Sequence, residues 1–263
     1  MNRINKTALV TGASTGIGNE ISRLLAQDGY NLVLIARNEE KLKILSSELE
    51  DKYNIFAKVI VKDLSNPNSS QEIFNETQGM GLNISILINN AGYGSFGEFL
   101  DSKIENELNM LNVNVLSLTY LTYLYGREMI KLGGGKILNV ASTAAFQAGP
   151  LMTVYYASKA YVLHFSEALA NELQIHNITV TTLCPGPTKT NFQKRAEMQE
   201  SKLVSGRRIM DAAFVASEGY KGMKVGRTLV IPGIQNKVMS LGVKFLPRGI
   251  VTKIVRSIQE SRK

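Results

Sequence analysis

Tyr155 and Lys159 stand four residues apart in Tyr155-Tyr156-Ala157-Ser158-Lys159. On a helix, positions i and i+4 share a face, so the phenol and the ammonium become neighbours. A free phenol titrates near 10, too high for rapid proton exchange at neutrality. A cation at roughly 4 Å in an effective dielectric of about 20 contributes on the order of 4 kcal/mol, enough to lower that value by about three units, to near 7. Such a pair suits proton transfer to and from an oxygen. The same spacing recurs at Tyr220 and Lys224, and ten tyrosines in a lysine-rich chain make a chance match ordinary. The second pair lies among Gly219, Gly222 and Gly226, at the expected end of a helix, with nothing upstream to complete a site. The first has company: Ser142 precedes Tyr155 by thirteen residues, and Asn114 falls within a long helical stretch.

A second chemistry is written in Thr11-Gly12-Ala13-Ser14-Thr15-Gly16-Ile17-Gly18, which follows a short apolar run and opens a helix. Glycines let backbone approach a pyrophosphate closely, and a helix N-terminus offers free N–H groups and a positive dipole end. Gly12, Ser14, Thr15, Gly16, Ile17 and Gly18 are the expected phosphate cradle. The next apolar run ends in Leu34-Ile35-Ala36-Arg37-Asn38, without an acid. Sites that select NAD place a carboxylate there, about 20 residues past the glycines, to accept from the ribose 2′-hydroxyl. A carboxylate would repel a 2′-phosphate, whereas Arg37 binds one through charge-assisted hydrogen bonds. The expected cofactor is NADP(H).

The elements that must hold these groups alternate along the chain. Strands are expected at Thr7–Thr11, Asn31–Ala36, Ile55–Lys62, Ile84–Asn89, Lys136–Ala141, Ile178–Cys184 and Arg227–Ile231. Most are continuous apolar runs, the mark of strands buried on both faces of a parallel sheet. Helical stretches lie between them, near 16–28, 38–51, 68–79, 101–132, 153–176 and 208–222. Repeated strand–helix–strand units predict an α/β fold: a Rossmann-type, doubly wound parallel sheet of about seven strands with helices on both faces. No linker divides the chain, so residues 1–263 are read as one domain, with 235–263 as its basic C-terminal extension.

In order and spacing, from Thr7 to about Ile231, these motifs closely resemble the short-chain dehydrogenase/reductase family. The resemblance implies that Tyr155 is the proton donor, Lys159 its partner and a grip on the cofactor ribose, and Ser142 the hydroxyl that orients a carbonyl. It implies that Asn114 holds a water linking Lys159 to solvent. Asp63-Leu64 matches the adenine-contacting pair, Asn90-Ala91-Gly92 the segment beside the adenosine ribose, and Pro185-Gly186-Pro187-Thr188-Lys189-Thr190 the stretch around the nicotinamide carboxamide and phosphates. Two departures stand out. Ala141 replaces a serine that many members carry, and Thr15 stands where NADP-preferring members often have a second basic residue. The implied activity is hydride transfer between nicotinamide and a small-molecule carbonyl or secondary alcohol. A 3-oxoacyl reductase acting on a CoA or carrier-protein thioester is the alternative enzyme. The other class, a dinucleotide-sensing regulator without chemistry, typically lacks the tyrosine or lysine, and both are present here. The segment expected to shape the substrate pocket, Asn191 to Gly222, carries no recognisable code.

Composition narrows the rest. The net charge of +8 is concentrated in Gln235 to Lys263, where Lys237, Lys244, Arg248, Lys253, Arg256, Arg262 and Lys263 face Glu260 alone. The body is nearly neutral, which argues against nucleic acid as a partner. One cysteine, Cys184, excludes an internal disulfide, and two histidines, His164 and His176, offer little to a metal; no metal is expected. No leader-like or membrane-spanning stretch is visible, and a cytoplasmic location follows. Apolar Leu118, Leu121, Val162 and Phe165, read as exposed on long helices, predict a homodimer or homotetramer. Tyr120, Tyr123 and Tyr125 are read as part of such an interface. In the tail, Ile250, Val251, Ile254, Val255 and Ile258 form one stripe, with Lys253, Arg256 and Gln259 off it. Packing on the body is the favoured reading. An anionic membrane surface and an anionic substrate are the alternatives.

Overall fold

The computed structural model describes residues 6–190, 192 and 209–260. Apolar residues alternate in destination along the central strands. In β1 (Thr7–Thr11) and β2 (Asn31–Ala36), Ala8, Val10, Leu32 and Leu34 point to one side, while Leu9, Val33 and Ile35 point to the other. Both sides are buried because helices cover both. On the first lie α1 (Gly16–Gln27), α2 (Glu39–Tyr53) and α7 (Ala212–Lys224), contributing Ile21, Leu42 and Val215 to the core. On the second lie α3 (Ser69–Gly79), α5 (Leu118–Lys131) and α6 (Thr153–Leu173), with Ile73, Tyr125 and Met129 packed on the sheet.

The remaining strands of the main sheet are β3 (Ala57–Val61), β4 (Ile84–Asn89), β5 (Gly135–Val140), β6 (Ile178–Leu183) and β7 (Leu229–Val230), and a separate two-stranded pair joins Thr188–Lys189 to Met210–Asp211. The seven strands of the main sheet pair parallel, in the order β3-β2-β1-β4-β5-β6-β7. This is the expected doubly wound Rossmann-type sheet. Chain direction along the sheet reverses between β1 and β4, so the loops leaving their C-terminal ends diverge and open a crevice. Both glycine-bearing segments, after Thr11 and after Asn89, leave the sheet there.

Several expectations change on contact with the structure. The stretch 101–132 is not one regular helix: α4 (Ile104–Leu111) passes through a π-helical turn, Asn112–Ser117, into α5. Leu118, Leu121 and Val162 are buried and not exposed, because they face the sheet or one another across α5 and α6. Tyr125 is also core: its hydroxyl pairs with Thr77 at 2.8 Å and its ring meets Phe74 edge-on. Tyr120 and Tyr123 are exposed. Beyond β7, α8 (Ile234–Gly242) and α9 (Arg248–Gln259) complete the described chain. α9 packs through Val251, Val255 and Gln259, all buried. Gln259, expected off the apolar stripe, lies on the packed line because positions 251, 255 and 259 recur every four residues.

Candidate active site

The glycine loop is stapled across the crevice from the β4 side. Thr11 Oγ1 donates to the Ile88 carbonyl and accepts from the N–H groups of Asn90 and Ala91, at 3.0 and 3.1 Å. The Asn90 amide donates to the carbonyls of Thr11 and Gly12 at 2.9 and 3.1 Å. A Cβ on Gly12 would stand 2.7 Å from that amide nitrogen, and Gly12 and Gly16 both have positive φ, so side chains here would displace the loop. Thr190 reaches the same loop from the other wall, its methyl 2.9 Å from where a Cβ on Gly16 would lie. Thr15, at the N-cap of α1, makes no side-chain bond to the helix, which leaves first-turn N–H groups facing the crevice.

The putting together of the second half depends on α6 and the π turn. α6 buries Tyr155, Ser158, Lys159 and Val162 on one face, so Tyr155 and Lys159 point the same way. The turn at Asn112–Ser117 carries Asn114, fully buried, into this face; π turns are frequent at functional sites. Its side chain accepts from the Tyr93 N–H at 3.1 Å and donates to the Tyr93 carbonyl at 2.9 Å and to Ser158 Oγ at 3.0 Å. Lys159 Nζ donates to the Val140 carbonyl at 2.9 Å, at the end of β5. Gly92 makes room: a Cβ there would lie 3.1 Å from Asn114 Oδ1 and 3.2 Å from Lys159 Nζ. Ser142 accepts from the Ala144 N–H at 3.1 Å, and its hydroxyl, 3.5 Å from the Pro185 carbonyl, is near enough to the Tyr155 phenol to favour its ionised form. Pro185 joins the β6 loop to this cluster, its carbonyl accepting from the Thr143 N–H at 2.9 Å.

Burial governs the electrostatics. It pushes the Tyr155 phenol up and the Lys159 ammonium down to about 8; the Ser142 hydroxyl pulls the phenol back only in part. The sequence reasoning anticipated a phenol near 7. It counted the attraction at roughly 4 Å and omitted the cost of desolvating both groups, and Nζ is 5.9 Å from the ring centroid. Tyr155 is thus held protonated. Cys184 is buried and its thiol is pushed up to about 12 by burial, an inert group at the floor.

A single cleft of about 890 Å³ joins both halves. Gly12, Ser14, Thr15, Gly16, Ile17, Arg37, Asp63, Leu64, Asn90, Ala91 and Gly92 line one arm; Ser142, Tyr155, Lys159, Pro185, Gly186, Thr188 and Thr190 line the centre. Asn114 stands behind Gly92 and Lys159, and Gly18 behind Asn90, not on the cleft wall. In the outer arm, Arg37 pairs with Asp63 at 3.5 Å, both half exposed. Burial raises the Asp63 carboxyl, but hydrogen bonds from Ser65 and the charge of Arg37 leave it below its ordinary value. Volume, cradle and free N–H groups fit a dinucleotide.

The sequence reading missed two sets of residues. Lys41 lines the outer arm beside Arg37, because Asn38 caps α2 by accepting from the Lys41 N–H at 2.8 Å and so turns the first helical turn toward the crevice. A cap residue directly after Arg37 was the available signal. The far wall of the cleft comes from Met152, Tyr156 and Phe192 and from the C-terminal helices, through Met239, Val255 and Ile258. Phe192 lies 5.2 Å from the Tyr155 ring. Of the segment Asn191–Gly222, residues 191 and 193–208 lie outside the described residues. The competing pair is placed elsewhere: Tyr220 OH donates to Asp28 at 2.8 Å and Lys224 Nζ reaches the same carboxylate at 2.6 Å, tying α7 to the end of α1. Among the described residues no cluster of His, Cys, Asp or Glu could hold a metal ion.

The family model for short chain dehydrogenases matches residues 6–201. The chain belongs to the short-chain dehydrogenase/reductase family, whose members are oxidoreductases that bind a nicotinamide dinucleotide. It is 36% identical over 198 residues to the very-long-chain 3-oxoacyl-CoA reductase-B of Danio rerio, an alignment covering 73% of this chain and 62% of that protein. The chain thus spans about three fifths of that relative's length. It is 33% identical over 244 residues to a 7beta-hydroxysteroid dehydrogenase of Mediterraneibacter gnavus, covering 87% of this chain and 86% of that protein. Among solved structures, a short-chain dehydrogenase from Sphingobium yanoikuyae in complex with NADPH superposes with a TM-score of 0.83 at 27% identity, over 97% of this chain and 98% of that one.

Proposed function

We propose that the protein is a single-domain NADP(H)-dependent oxidoreductase interconverting a carbonyl and a secondary alcohol, with Asn114, Ser142, Tyr155 and Lys159 as its catalytic residues. One observation carries the reading: Tyr155, with Ser142 and Lys159 beside it, faces the centre of a cleft whose other arm is a glycine-lined phosphate cradle. Bound nicotinamide supplies or accepts the hydride at the substrate carbon. Tyr155, kept protonated by burial, gives its proton to the carbonyl oxygen during reduction. Ser142 donates a hydrogen bond to that oxygen as charge develops on it. Lys159, near 8 and tied to the Val140 carbonyl, stabilises the phenolate and holds the cofactor ribose. Asn114, bonded to Ser158 and to both backbone groups of Tyr93, positions the lysine from behind.

Arg37 and Lys41 support the choice of NADP(H): two cations line the arm where a 2′-phosphate would lie, and Arg37 follows the strand end where a carboxylate would select NAD. Assembly as a homodimer or homotetramer is supported by exposed Leu116, Tyr120, Tyr123 and Tyr161. Among the described residues no helix is long and apolar enough to cross a membrane, and cytoplasmic location remains the working assignment. The second reading, a 3-oxoacyl thioester reductase, is favoured by the similarity to the Danio rerio protein. NADPH consumption with a panel of simple ketones, steroid ketones and 3-oxoacyl-CoA thioesters tests both. Turnover with none of them, at any pH, would refute the enzyme assignment.

A further inference from the structure

The C-terminal helices leave a conspicuous amount of apolar surface in water. Ile234 is 83% exposed, Val238 65% and Phe245 88%. On α8, Ile234, Val238 and Leu241 follow the i, i+4, i+7 spacing of one helical face; on α9, Ile250 and Ile254 do the same. Lys237 and Lys253 lie three residues past Ile234 and Ile250, at the margins of these faces, and Lys244 and Arg248 lie between the helices. All four are exposed, and no Asp or Glu occurs from Ile234 to Gln259. The apolar tip borders the cleft: Met239, Phe245, Leu246 and Ile254 are cleft-lining residues as well.

We infer that α8, the connection through Phe245, and the outer face of α9 form a docking surface for an anionic lipid bilayer, with the cleft mouth turned toward the lipid. Large apolar side chains flanked by lysines are the makeup of segments that lie in a membrane interface. Other coverings fit the charge less well. A second copy meeting this face across a two-fold axis would set the same cations against each other. Residues 193–208, with five Lys or Arg against Glu197 and Glu200, are themselves basic. A bilayer bearing anionic headgroups supplies the opposite sign and accepts the apolar tip together. The docking inference stands apart from the catalytic reading, since its readout needs no turnover.

The test is co-sedimentation of the full chain with phosphatidylcholine vesicles and with vesicles containing phosphatidylglycerol. Binding is expected to the anionic vesicles only, weakening as salt rises. Lys237→Gln and Lys244→Gln should each weaken it about fivefold. The Ile234→Ser/Val238→Ser double variant, whose altered residues lie outside the cleft lining, should lose binding while melting at the parent temperature. Failure to sediment with either vesicle would overturn the inference. Equal binding to neutral vesicles would remove the charge argument and overturn it too. So would an oligomer at micromolar concentration that dissociates in the double variant, because a second copy would then own this face.

Discussion

Tyr155–Lys159 and Tyr220–Lys224 share one spacing, both lie on helices, and the ammonium stands 5.9 Å from the ring centroid in the first and 5.5 Å in the second. Their surroundings make them different chemistry. Lys159 is buried, and burial lowers it to about 8. Lys224 is raised by its hydrogen bond to Asp28, which fixes it as a permanent cation. Tyr155 opens on the cleft beside Ser142, whereas the Tyr220 hydroxyl is spent on Asp28. A four-residue spacing therefore specifies a geometry, and the neighbours decide whether that geometry titrates, donates or merely ties two helices together.

The largest break in the comparison is Tyr155→Phe, expected to lower kcat/KM by roughly 10²- to 10⁴-fold, with NADPH affinity within a few-fold of the parent. Tyr220→Phe should leave turnover unchanged. Steady-state kinetics and a cofactor titration on both variants check this, and silencing by the Tyr220 change alone would reverse the assignment.

Next in size is Arg37→Ala. Loss of a hydrogen bond to a charged group is worth about 1.5–3 kcal/mol, or about 10- to 150-fold in kcat/KM for NADPH. Efficiency with NADH should barely move. A parent equally efficient with both cofactors would dispose of the NADP preference.

A subtler contrast comes from pH. Lys159 loses its proton near 8, so kcat/KM for NADPH should fall about tenfold per pH unit above that value. Lys159→Arg should remove this alkaline limb, and a limb that persisted would belong to another group. The same shift acts on the fold with a definite sign. Between about pH 8 and the ordinary lysine value of about 10.4, the unfolded chain holds a proton that the native chain does not, so this group's contribution makes the protein more stable as pH rises through that window.

The smallest effect is on stability at the second pair. Tyr220→Phe removes one partly buried hydrogen bond joining α7 to the end of α1, which is worth about 1 kcal/mol in denaturant unfolding.

Much of the cofactor half was legible because its constraints are local. Glycines at positive φ, an apolar run buried on both faces, and a basic residue at a strand end each leave a compositional trace at one place in the chain. The substrate half is built from long-range meetings. Nothing near Ile258 announces that it will line the same cleft as Ser142. Leu118 and Leu121 were misread for a related reason: an apolar residue on a long helix looks alike whether its partner is the sheet or a second subunit. Lys41 was hidden behind a cap, since its direction depends on how Asn38 starts α2.

The π turn between α4 and α5 has a consequence for chain length. A helix bonded i to i+5 holds one residue more than the regular form needs. Removing a single residue between Asn112 and Ser117 would restore ordinary bonding and, because the wide turn already absorbs that residue, leave α5 near its present phase. Leu121, Tyr125 and Met129 would stay on the sheet, while Asn114, inside the turn, would turn away from Ser158. The extra residue therefore serves the site and not the packing of α5: it aims Asn114 at Tyr93 and Ser158, so a change of count should cost turnover before it costs the fold.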